Sequence, residues 1–98
     1  MKLTAYSIYD TKVEQWGLPF FCHHDELAKR ICCEAVQDEN TQLSRYPNDY
    51  ILFSIGSYED HDGLLTAHAP QNLGVLGAIY SATLAQQMRR STSVQEGA

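Results

Sequence analysis

The sequence predicts an α+β domain: a small, partly curled antiparallel sheet of four to five strands, one main helix on one face, and a homodimer closing a free edge. Three observations carry this. Leu27, Ala28, Ile31, Cys32, Ala35 and Val36 recur at the spacing of a single apolar helix face. Two β-rich runs, 50–58 and 64–69, flank Glu59-Asp60-His61-Asp62-Gly63, where Asp-Gly supplies the positive φ angles of a hairpin turn. The 98 residues hold one domain and one modest core, which leaves sheet edges for a second copy to cover.

Taken in order, residues 3–9 are rich in Tyr, Thr and Ile and loosely alternate, as a first strand does. Asp10-Thr11-Lys12 breaks it. Residues 13–18 are ambiguous, punctuated by Gly17 and Pro19. Pro19-Phe20-Phe21-Cys22 reads as a second strand with proline at its start, where a missing N–H is tolerated. The helix follows over residues 25–37, capped by His24 or Asp25, with Asp25 and Glu26 at the positive end of its dipole. Lys29, Arg30, Cys33 and Glu34 fall on its outer face or flanks. Residues 41–46 form one short helical turn with Leu43 inward, stopped by Pro47.

In the strand 50–58, Ile51, Phe53 and Ile55 share one face, and Tyr50, Leu52, Ser54 and Tyr58 the other. Residues 64–69 return as its partner. Pro70-Gln71-Asn72 makes a second turn, 73–80 is apolar, 82–90 is helical and 91–98 frays. Without repeats or a linker, residues 1–80 make the domain, and 81–98 an added helical or disordered tail.

Charge is unevenly placed. Residues 1–80 hold five cations against eleven acids, net −6, and 81–98 two cations against Glu96, net +1. An acidic body excludes a general DNA coater, because non-specific affinity comes from cations neutralising phosphates. No stretch approaches the ~18 apolar residues of a membrane span, and the start lacks the apolar run of a signal peptide. Three cysteines, two of them adjacent, fit free thiols in a reducing cytosol.

Chemistry-bearing clusters are few. Cys22-His23-His24-Asp25-Glu26 gathers metal-ligand types, with Cys32, Cys33, His61 and His68 elsewhere. The pairs are adjacent, however, and adjacent side chains diverge, unlike the spaced pairs of a zinc site. The stretch reads as a polar strand-to-helix junction, and no metal or cofactor is expected. Asp60-His61-Asp62-Gly63 lacks the acid of a calcium loop six residues on, where Ala69 stands. A Cys–His nucleophile from Cys22 or Cys33 is formally possible, Cys32 reads as a small buried hydrophobe, and the expectation is a non-enzyme. Six Tyr and one Trp fit either a half-buried sheet or stacking platforms for single-stranded nucleic acid.

Five short blocks then run in order: Ile8-Tyr9-Asp10-Thr11-Lys12, Leu18-Pro19-Phe20-Phe21, Glu34-Ala35-Val36-Gln37-Asp38, Tyr46-Pro47-Asn48-Asp49-Tyr50-Ile51-Leu52-Phe53, and Ile55-Gly56-Ser57-Tyr58-Glu59-Asp60 before Gly63. Over residues 1–80 the chain resembles the small nonstructural protein of gokushovirus-type microviruses, tailless phages with circular single-stranded DNA genomes. Tyr46 stands where that family often has His, Cys32 where it often has an aromatic, and 81–98 extends beyond it. The resemblance implies a non-enzymatic protein of the host cytoplasm, acting on single-stranded DNA in genome replication and the switch to single-strand synthesis and packaging. It brings no catalytic or metal residues.

The leading expectation is single-stranded DNA binding. Lys2, Lys12, Lys29, Arg30 and Arg45 would contact phosphates, and Tyr6, Tyr9, Trp16, Tyr46, Tyr50 and Tyr58 are the pool for stacking. Any DNA contact is expected to be steeply salt-sensitive. The alternative is an adaptor for the phage initiator or a host replication protein, favoured by the acidic body and docking through 81–90.

Overall fold

The computed structural model describes the backbone of residues 1–97 and the side chains of residues 1–89. Strand β1 (Lys2–Asp10) is followed by the short strands β2 (Gln15–Trp16) and β3 (Phe20–Cys22), helix α1 (Asp25–Gln37) and the single turn α2 (Gln42–Arg45). A 3-10 turn at Pro47–Asp49 leads into β4 (Tyr50–Glu59), β5 (Leu64–Val75) and helix α3 (Leu76–Gly97). The α+β class and the curled antiparallel sheet are as expected.

The sheet is ordered β2-β1-β4-β5, with β3 also on β1. β2 pairs Tyr9 and Asp10 at the end of β1, and β3 pairs Thr4 to Tyr6 near its start, so the two short strands share one interrupted edge. Gly17 and Pro19 lie in the gap, Pro19 immediately before β3, consistent with its missing N–H.

His24, rather than Asp25, caps α1: its Nδ1 accepts the Leu27 N–H at 3.2 Å. Tyr6, Cys22, Ala28, Cys32, Cys33, Val36, Leu52, Leu76 and Ile79 form one core between the helices and one sheet face. Two positions on α1 depart from the periodic reading. Cys33 is buried and Ile31 is 40% exposed. The reason is α3, which packs beside α1 and brings Thr83 to 3.4 Å from the Cys33 sulfur, shifting the covered arc toward Cys33.

Three further corrections concern the C-terminal half. The turn expected at Pro70-Gln71-Asn72 is absent, since β5 runs through it and absorbs the extra residues as register shifts against β4. The helix expected from residue 82 begins at Leu76, directly after β5, and runs past the boundary at residue 80 and through most of the segment expected to fray. Ala98 lies outside the described residues. In the hairpin turn only Gly63 takes a positive φ, 74°, so the left-handed residue follows the turn instead of Asp62 sharing it.

Candidate nucleic-acid interface

Both helices pack on the face that carries Tyr6 and Leu52. Paired residues of neighbouring strands point to the same side, so the register identifies what the opposite face presents. β1 contributes Leu3, Ala5, Ser7 and Tyr9. Trp16 pairs with Tyr9, and Phe21 with Ala5. β4 adds Ile51 and Phe53 opposite Tyr9 and Ser7.

A bulge then changes the phase of β4. Tyr6 pairs Ser54 but Ala5 pairs Gly56, leaving Ile55 as the extra residue. Beyond it Tyr58 sits opposite Leu3, on the Phe53 face. Simple alternation, which grouped Tyr58 with Leu52, is therefore overturned by one inserted residue.

The rings on this open face form two groups. Trp16 lies 4.8 Å from Tyr9 and 4.8 Å from Phe53 between centroids. Phe21 meets Tyr58 edge-on at 5.8 Å. Both groups reach across β1, whose small residues Ala5 and Ser7 are buried at 3% and 2% exposure. The Ser7 hydroxyl donates to the Gly17 carbonyl at 2.8 Å. Trp16 and Phe21 keep 47% and 44% of their surface exposed, so ring faces remain open to solvent. β5 extends the face with Leu65 beside Tyr58, Ala67 beside Gly56 and Val75 beside Ile51.

The predicted residues therefore divide. Tyr9, Trp16 and Tyr58 come together on the open face, joined by Phe21 and Phe53, which the sequence reading treated only as strand residues. Their signal was strand phase: Phe53 precedes the bulge and Tyr58 follows it.

Tyr6 is a correction. It is fully buried, stacks on Phe20 at 5.6 Å and donates its hydroxyl to Asp25 Oδ1 at 2.7 Å. Burial, and then that hydrogen bond, raise its phenol well above the usual range. It is closed to any base. Tyr50 lies on the helix side, packed against the core, donates to Gln42 Oε1 at 3.3 Å, and has its phenol raised by burial and then by Asp10 and Asp49. Tyr46 is exposed but caps α2, in the helical layer.

The cations also divide. Lys29 and Arg30 line a cleft of about 380 Å³ between α1 and α3, with His24, Glu26, Thr83 and Gln87, and Lys29 pairs with Glu26 at 3.7 Å. Arg45 ends α2. Lys2 and Lys12 stand at or beyond the two ends of β1. The open face itself carries no Asp, Glu, Lys or Arg at the register positions named above.

The thiols of Cys22, Cys32 and Cys33 are free and buried. Burial raises Cys22 and pushes Cys32 up to about 12, the opposite of an activated nucleophile. Among the described residues no three His, Cys, Asp or Glu side chains gather as a metal site would require, and no helix is long and apolar enough to cross a membrane.

A family model described as Phage ORF5 protein matches residues 3–79. No curated protein and no solved structure matches the chain.

Proposed function

The chain belongs to the Phage ORF5 protein family, and on that premise we propose that it is a non-enzymatic phage protein that binds single-stranded DNA during genome replication and the switch to single-strand synthesis and packaging, in the host cytoplasm. The observation that carries the reading is the open sheet face with its two ring groups, Tyr9–Trp16–Phe53 and Phe21–Tyr58. Solvent-facing rings on a sheet accept unstacked bases of any sequence, each stack worth ~1–3 kcal/mol. Lys12, beyond the end of β1, is the cation available to flanking phosphates. Lys2 is in phase with Tyr6 and lies on the helix side opposite Glu59, and Lys29, Arg30 and Arg45 are also left out of this interface.

Trp16 is the chain's one tryptophan, so its emission reports this face directly. Titration with oligo-dT at low salt is expected to quench it in step with a rise in oligonucleotide anisotropy. Neither changing at micromolar protein would end the reading.

A second reading has its own support. A face with aromatic and aliphatic groups and no charge also suits a protein surface, which favours the adaptor that meets the phage initiator or a host replication protein. Trp16 emission that responds to such a protein and ignores oligo-dT would select it.

A further inference from the structure

We propose that a second copy of this chain adds to the free edge of β5, pairing antiparallel along residues 64–67 about a twofold axis normal to the sheet. β5 ends the strand order, with β4 on one side and, among the described residues, no strand on the other. From Leu64 to Asn72 every residue is exposed, and Leu64 and Leu65, which point to opposite faces, are 61% and 62% exposed. This arm of the hairpin is thus bare on both faces and along its edge. Natural edge strands are blunted by charge, proline, shortness or bulges. β5 is 12 residues long, with no Asp, Glu, Lys or Arg; its one proline, Pro70, and its bulge, where residues 68–70 face Ile55 alone, both lie beyond the segment 64–67.

Charge points to a second copy in this orientation. The body is acidic, so two copies meet with least repulsion where neither bears charge, and β5 is such a surface. Asp60 and Asp62 sit in the turn just before Leu64. Antiparallel pairing sets each acidic turn beside the uncharged residues 69–72 of the other copy, whereas parallel pairing would set acidic turn against acidic turn. An axis normal to the sheet reverses strand direction and keeps each face on its own side. The two open aromatic faces then lie on one side of a continuous sheet.

The test is the mass of the full chain in solution at micromolar concentration, without DNA, so its outcome is independent of the DNA reading. Thr66, exposed at the middle of the segment, comes close to its own symmetry copy in such a pair. Wild type is expected to sediment as a dimer. Thr66→Lys and Thr66→Glu alone are each expected to weaken dimerisation by about tenfold or more, through like charges facing across the axis. An equimolar mixture of the two should regain the dimer, and circular dichroism checks that each variant is folded. A monomeric wild type overturns the proposal, as does a dimer that both variants leave intact or one that the mixture fails to restore.

Discussion

The Trp16 ring lies 4.8 Å from that of Phe53 although their strands stand on opposite sides of β1. The rings lean together over the middle strand and close above Ser7, whose hydroxyl donates to the Gly17 carbonyl and so leaves no unpartnered polar group beneath them. A serine at this position keeps the span low enough for the two rings to meet. The upper side of the bridge stays in water.

Removing one end of that bridge should be felt in binding more than in folding. Trp16→Ala is expected to weaken oligo-dT binding by about 1–3 kcal/mol, the range measured per stacked base. Trp16→Phe should retain most of the affinity, and Tyr46→Ala should leave it unchanged. Anisotropy titrations of the three variants check this.

Salt dependence should be shallow, against the steep dependence that the residue list alone suggests. With only Lys12 near the face, log K against log salt should fall no more steeply than about −0.7, the contribution of one phosphate neutralised on a single strand. Lys29→Ala and Arg30→Ala should have no effect on affinity, whereas Lys12→Ala should lower it.

Tyr6→Phe is expected to lower stability by about 1–2 kcal/mol through loss of the hydrogen bond to the Asp25 carboxylate, with DNA affinity unchanged. The pH dependence has a definite sign. The folded phenol titrates above its unfolded value, so its contribution is complete below about pH 10 and is lost as pH rises through the higher folded value. Urea midpoints from neutral to strongly alkaline pH should fall more steeply for wild type than for Tyr6→Phe.

The cysteines should resist modification. All three are buried, and burial pushes Cys32 to about 12. A disulfide reagent near neutral pH should label the native chain slowly, at the rate of opening, and should label three thiols at once in denaturant.

Gly56→Ala is expected to destabilise by about 1–3 kcal/mol, as overpacking does. A Cβ there would come within 2.5 Å of the Thr66 carbonyl oxygen, so β5 would have to move away from β4. Thermal melts of the variant measure it.

Where a local rule decided the outcome, the sequence was a good guide. Helix α1 and its polar start, β1, the strand after Pro19 and the hairpin around Gly63 all follow from periodicity, caps and turn residues. What escaped depended on partners distant in sequence. Cys33 reads as a flank residue until α3 covers it. Tyr6 and Tyr9 are equivalent tyrosines in one strand until their phase relative to the helices is known, which buries the first and leaves the second half-buried on the open face. Tyr58 changed faces because of an extra residue at Ile55, and no composition signal marks that bulge. The cations looked like a set in the chain, but α1 carries two of them away from the rings.

The central position of β1 has a consequence for synthesis. Its main partner, β4, lies at the opposite end of the register, with Lys2 against Glu59. A ribosome adding ~5–20 residues per second therefore releases the middle strand seconds before the strand that completes it, while the β4–β5 hairpin closes as soon as it emerges. Until β4 emerges, β1 has only the short strands β2 and β3 along one edge, and its other edge, with its row of small and aromatic side chains, is open to chaperones or to another nascent chain.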